Sequence, residues 1–264
     1  MNTAASTSPY RIACVSFLNS RPLIDALTRR ADVDLVLDVP AQLLPHLEAR
    51  RVEVALTSVV DYQLAQQPLQ LLPVGMIGCN GHTLTVRLFS RVPVEQIRTL
   101  SLDAHSHTSN ILVQLILRGR YHSPLQQALP GLADADARLL IGDKVVTAAP
   151  TTTEYPYQLD LGHEWKEWTG LPFVFAMWMG LADVDLSRYR PLLAEAITSG
   201  LADIDGIITR EAQRHGWPTV LAKQYLMDYL RFIPDAQALA GLREFFQRAA
   251  ALGLLSCPRA VDVV

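Results

Sequence analysis

Short apolar runs of strand character alternate with amphipathic, helix-spaced segments over the first 180 or so residues, and this alternation restricts the fold more than any other feature of the chain. A helix between two strands carries the chain back along the sheet face, so the pattern calls for a parallel or mixed α/β sheet. Arg11–Phe17 reads as the first strand, and Pro22–Arg30 as a helix whose start is preset by proline. Asp34–Val39 is a second strand, and Ala41–Arg51 a helix with Leu43, Leu44 and Leu47 on one face. Glu53–Leu56 is a third strand, after which Thr57 and Ser58 are expected to cap a helix reaching Ala65. Leu71–Ile77 and Leu84–Phe89 add two more strands. After a break at Ser90–Pro93 the series restarts, with strands at Thr99–Asp103 and Leu139–Gly142, a helix at Ser109–Leu117, and a buried strand at Phe173–Trp178. Beyond Ser187 the pattern is helical, over 188–213, 217–230 and 235–251. Two α/β lobes account for this most economically, with the chain crossing between them near Ser90–Val94 and Phe175–Gly180. The first lobe would then take 1–92 with 180–264, and the second 93–179.

Composition narrows the function by exclusion. Half of the 264 residues are hydrophobic and 19 % are charged, which is enough for a substantial core. The net charge of −3 leaves no large single-sign field to attract nucleic acid. The longest apolar run, Leu171–Ala182, contains Pro172 and Gly180 and falls short of the roughly 20 residues of a membrane span. Met1–Pro9 is small and polar, and Arg11 directly precedes the first apolar run, so no secretory signal is expected. Cysteines 14, 79 and 257 are odd in number and show no CxxC spacing, which argues against a disulfide framework and for the cytoplasm.

Common catalytic motifs are absent: no GxGxxG after a strand, no GxxxxGK[ST], no GxSxG and no HExxH. His105 and His107 are spaced like a metal fragment but lack a third ligand nearby, so no metal is expected. What remains is neutral polar clusters at the C-terminal ends of expected strands: Asn19-Ser20, Thr57-Ser58 and Ser106-His107-Thr108-Ser109. That edge of an open α/β sheet is where ligands sit, and a following helix N-terminus offers free N–H groups to an anion. Each cluster alone is explained as a helix cap of about 1 kcal/mol. Three on facing edges of two lobes point to a binder of a small anionic molecule.

The segment Val15-Ser16-Phe17-Leu18-Asn19-Ser20-Arg21-Pro22-Leu23 resembles the opening motif of the chorismate dehydratase family, which acts in the futalosine route to menaquinone. The likeness continues through Gly78–Gly81, Leu88–Pro93, Leu102-Asp103 with Ser106, Thr108 and Ser109, and Leu140–Asp143. It is most specific at Asp160-Leu161-Gly162 with Trp165–Ala176. The resemblance implies a two-lobed periplasmic-binding-protein-like fold of type 2, with a ligand cleft between the lobes and no export. It implies a lyase that takes water from chorismate to give 3-[(1-carboxyvinyl)oxy]benzoate, with no cofactor, no metal, and no nucleic-acid or membrane partner. The base would be the substrate's own enolpyruvyl carboxylate. Asn19 matches the family's active-site asparagine, and Thr85 stands where the family has a serine. Ser20, Thr57, Ser58, Ser106, Thr108, Ser109 and Asp143 are the expected substrate-binding residues, with a structural role for Asp143 ahead of a direct one. Trp165 and Trp168 are expected to pack a lobe rather than stack on substrate. The competing reading is a non-catalytic cytoplasmic binder of a small carboxylate with the same fold. The sister lyase of the same route is disfavoured by the Trp168–Phe173 run, and because its proline- and cysteine-containing opening is not the motif that stands at 16–22.

Overall fold

The computed structural model describes residues 9–256 and 259–261, so the readings made on 1–8 and on Cys257 lie outside the described residues. The chain begins β1 (Tyr10–Val15), α1 (Arg21–Ile24), β2 (Val33–Asp38), α2 (Pro40–Glu48), β3 (Val54–Ser58), α3 (Asp61–Leu64) and β4 (Leu69–Cys79). It continues with β5 (Val86–Ser90), β6 (Thr99–Leu102), α4 (His107–Leu115), β7 (Gln127–Pro130), β8 (Ala137–Ile141), α5 (Lys144–Thr147), β9 (Tyr157–Asp160) and α6 (Leu161–Thr169). It closes with β10 (Phe173–Leu181), α7 (Tyr189–Ala202), α8 (Ile204–Glu211), α9 (Thr219–Gln224), β11 (Leu230–Arg231) and α10 (Ala236–Ala251).

Two mixed sheets result, one in the order β11-β4-β10-β3-β1-β2 and the other β7-β6-β8-β5-β9. In the first, β1 runs parallel to β2 and β3, while β10 runs antiparallel between β3 and β4. In the second, β6 is parallel to β7 and β8, and β5 is antiparallel to β8 and β9. Burial explains the strands that sequence pattern locates well. Ile12, Ala13 and Cys14 are fully buried on β1, and every residue of β3 is buried. Such strands read as continuous apolar runs, as expected when both sheet faces are covered. α2 buries Leu43, Leu44 and Leu47, the face anticipated for it.

The connections between the sheets differ from expectation. β5 pairs with β8 and β9, so the first crossing lies at 80–85, not at Ser90–Val94. β10 pairs with β4 along its whole length, so the return lies at 170–172, not at Phe175–Gly180. Antiparallel pairing across a sheet leaves no trace in local periodicity. We therefore propose lobes that divide at these two connections.

Three further departures have local causes. The helix expected over 22–30 is reduced to α1 and a 3₁₀ turn at Leu27–Arg29. There the Thr28 hydroxyl donates to the Asp25 carbonyl at 2.7 Å, a local bond that competes with the helical ladder. Thr57 and Ser58 are not a helix cap: they end β3, where they pair with Met177 and Ala176 of β10. The helical tail is cut at Asp203, and its middle segment ends in a π-turn at Tyr225–Tyr229 followed by β11.

Trp165 is fully buried and donates its indole N–H to the Pro172 carbonyl at 3.1 Å. With Phe173 and Phe245 it forms an edge-to-face cluster, at ring separations of 5.3, 6.1 and 5.0 Å. Trp168 packs under the Arg248 guanidinium at 4.2 Å. Both indoles thus hold α6 and α10 onto the strand between them.

Candidate functional site

Between the two sheets lies a cleft of about 510 Å³, solvent at its mouth included. The C-terminal ends of β1, β3 and β8 and the start of β5 converge on it, the placement expected for ligands of open α/β sheets. Val15, Phe17, Leu56, Ile77, Ile141 and Phe175 form its apolar walls. The polar groups are Asn19, Ser58, Thr83, Thr85, Ser106, Ser109 and Tyr225, and no Asp, Glu, His, Lys or Arg is among the described lining residues.

Asn19 sits in a 3₁₀ turn (Leu18–Ser20) directly after β1. Its Oδ1 is buried with no protein hydrogen-bond partner among the described residues. An acceptor left so costs free energy unless a ligand or solvent group meets it. Thr85 is 2 % exposed, and its Oγ1 lies 2.7 Å from the hydroxyl of Tyr225. Burial holds the Tyr225 phenol far above its ordinary pKa, so it stays protonated.

Thr83 and Thr85 flank Leu84, whose φ of 64° is left-handed and unusual for a residue with a side chain. The Asp160 carboxylate holds that turn, accepting from the Thr83 N–H at 3.0 Å and the Leu84 N–H at 2.7 Å. It also caps α6, through Gly162 and His163. Gly142 is left-handed too, at φ 69°, and a Cβ there would come within 2.7 Å of the Phe17 ring. Glycine lets the wall of the cleft close at that point.

Across the cleft, Ser106 caps α4 by accepting from the Ser109 N–H at 3.1 Å. The positive end of the helix dipole therefore faces the cleft beside two serine hydroxyls.

The expected site residues divide into two groups. Asn19, Ser58, Thr85, Ser106 and Ser109 line the cleft. Ser20, Thr57, Thr108 and Asp143 do not, and each is engaged by protein. Ser20 donates to the Phe17 carbonyl at 2.9 Å, and Thr57 donates to Asp61. Thr108 Oγ1 accepts from the Val60 N–H at 3.3 Å. The Asp143 carboxylate receives Trp217 Nε1 at 2.9 Å, His215 Nδ1 at 2.7 Å and the Leu18 N–H at 3.3 Å. Its role is a bridge between the second sheet and the segments beside Asn19. Thr83, Phe175 and Tyr225 join the lining without having been singled out in the sequence. Thr83 could have been found from its spacing to Thr85, but Tyr225 gives no local signal.

Neither histidine of the 105/107 pair faces a partner of its own kind. His105 is held through its backbone, to Asp103 and Ala41, while His107 Nδ1 meets the fully buried Asp61 at 2.6 Å. The hydrogen bond to Asp61 raises the His107 pKa. Among the described residues no three His, Cys, Asp or Glu are grouped to hold a metal ion. Burial raises the thiol pKa of Cys14 to about 12 and that of Cys79 higher still, so neither supplies a thiolate nucleophile. No helix among the described residues is long and apolar enough to cross a membrane.

Two mixed sheets, a double crossing and a cleft between them define a periplasmic-binding-protein-like fold. The fold is shared with a crystal structure from Archaeoglobus fulgidus at a TM-score of 0.75 and 18 % identity, covering 95 % of this chain and 100 % of that one. It is also shared with the periplasmic aliphatic sulphonate binding protein of Escherichia coli, at a TM-score of 0.61 and 16 % identity over 98 % of this chain and 91 % of that one. Residues 10–251 match the sequence family described as menaquinone biosynthesis. A chorismate dehydratase of Thermus thermophilus is 30 % identical over 275 residues, covering 95 % of this chain and 97 % of that protein. The chain belongs to the menaquinone biosynthesis family.

Proposed function

We propose that this protein is a chorismate dehydratase that converts chorismate into 3-[(1-carboxyvinyl)oxy]benzoate and water. The observation that carries the reading is the cleft lining, rich in neutral hydrogen-bonding groups and, among the described residues, free of ionisable ones other than Tyr225. The likeness to the Thermus relative supports it. The reaction removes a proton from a ring carbon conjugated to the ring carboxylate, and then expels the neighbouring hydroxyl as the ring becomes aromatic. Negative charge develops on the ring carboxylate as the C–H bond breaks. Hydrogen-bond donors fixed in advance stabilise that charge without reorganising. Ser106, Ser109 and the α4 N-terminus are suited to one carboxylate, while Asn19 and Thr85 are suited to the enolpyruvyl arm. That arm's carboxylate is then the base, held against the ring as a proximity effect. The described lining residues offer no carboxylate or imidazole to compete for that role. We place the reaction in the cytoplasm, with the small molecule chorismate as substrate.

An ultraviolet assay of purified protein with chorismate tests the proposal, the expected result being an aromatic product formed at the same rate before and after EDTA treatment. Tight binding of a benzoate without turnover would favour the second reading, a non-catalytic binder of a small carboxylate, which the likeness to a solute-binding protein supports.

A further inference from the structure

Tyr225 closes the cleft from the π-turn after α9, 140 residues along the chain from Thr85, whose Oγ1 it meets at 2.7 Å. Tyr225 is 1 % exposed, and its ring stacks on Trp217 at 4.8 Å with 17° between the planes. The Trp217 indole donates to Asp143, which also receives the Leu18 N–H beside Asn19. One continuous set of contacts thus joins the C-terminal region to both residues matched to the family's active site. A tyrosine hydroxyl has a single proton to donate, and a threonine hydroxyl has one proton and can accept two bonds. If Tyr225 donates to Thr85, the threonine proton is left free to turn toward the cleft. The β-branch of Thr85 restricts χ1, so its oxygen stays where Tyr225 can reach it.

Resting on the chorismate reading, we propose that Tyr225 is a positioning residue: it acts through Thr85, orienting the threonine proton toward an anionic oxygen of the substrate, and its stack on Trp217 ties that orientation to the Asp143 bridge.

The test is a double-mutant cycle of Tyr225→Phe and Thr85→Val, each removing only the hydroxyl's hydrogen bond while keeping the shape. For chorismate turnover, Tyr225→Phe should lower kcat about tenfold or more, with KM within about threefold. In the Thr85→Val background it should cost less than about twofold, because the hydroxyl it orients is gone. Equal losses in both backgrounds would assign Tyr225 a merely structural part and overturn the inference, as would full activity of Tyr225→Phe. Thr85→Val probes the same bond from its other end should Tyr225→Phe fail to fold: loss of kcat with KM kept would support the inference, and unchanged kcat would refute it. If the parent protein yields no aromatic product, the chorismate reading fails by itself. The same cycle is then read in the Kd of 3-(carboxymethoxy)benzoate, where non-additive losses uphold the positioning role and additive ones refute it.

Discussion

In the proposed reaction, the amide at position 19 does work that a carboxylate of the same shape cannot. Asn19 lies half-buried in the turn after β1, in a cleft with no cation among the described lining residues to neutralise an added charge. Asn19→Asp places a negative charge next to a substrate carboxylate in a poorly screened site, at a cost of several kcal/mol, with each ~1.36 kcal/mol a factor of ten in rate. The expected outcome is a loss of at least about 100-fold in kcat/KM by steady-state assay with chorismate. Thr85→Ser keeps the hydroxyl and should stay within about tenfold of the parent, while Thr85→Ala removes the partner of Tyr225 and should fall much further. A Thr85→Ala protein as active as the parent would show that this hydroxyl takes no part in the reaction.

Among the elements, two helix starts shape the cleft in different ways. Ser106 satisfies a single N–H of α4, so Ser106→Ala should cost about 1 kcal/mol of stability. It should also weaken binding of a benzoate, since Ser106 lines the cleft. Asp160 does more, accepting from Gly162 and His163 at the start of α6 and from Thr83 and Leu84 at the crossing between the sheets. Asp160→Ala leaves several buried donors unmet and releases the left-handed Leu84, and it should cost about 3 kcal/mol or more. Urea unfolding of both variants checks the ranking, and a smaller loss for Asp160→Ala than for Ser106→Ala would contradict it.

Over the whole molecule, three sets of contacts hold the sheets together around the cleft. Asp143 bridges to Leu18, His215 and Trp217, Tyr225 meets Thr85, and α4 meets the turn after β3 through His107–Asp61 and Thr108–Val60. The His107–Asp61 contact gives the assembly a pH dependence. Its hydrogen bond raises the folded-state pKa of His107 above the unfolded value of about 6.5. A raised folded pKa means that the folded state binds the proton more tightly. The stabilisation is therefore fully present below the unfolded pKa and is lost as pH rises through the folded value. The Tm difference between the parent and His107→Asn should accordingly shrink from pH 5 to pH 9. A difference that grows with pH would mean that the imidazole is not held as a cation.

What the sequence by itself determined is the local part of this protein. β1, β2, α2 and β6 lie within a few residues of their expected positions, because alternation, helical spacing and Pro punctuation are properties of short segments. Asn19 at the end of a strand and Ser106 at the start of a helix were legible for the same reason. Only the tertiary structure decided which sheet β5 joins, because antiparallel pairing with β8 and β9 depends on chain that comes later. It also decided where each hydroxyl goes. Ser58, Ser106 and Ser109 line the cleft, Ser106 while also capping α4, whereas Ser20, Thr57 and Thr108 stand outside it, engaged by protein groups. A short polar side chain takes the nearest partner in space, and neighbours in sequence do not specify that partner. Tyr225 shows this most plainly: it reads as one more residue of a helical tail, and it becomes part of the cleft only when the fold sets its hydroxyl against Thr85.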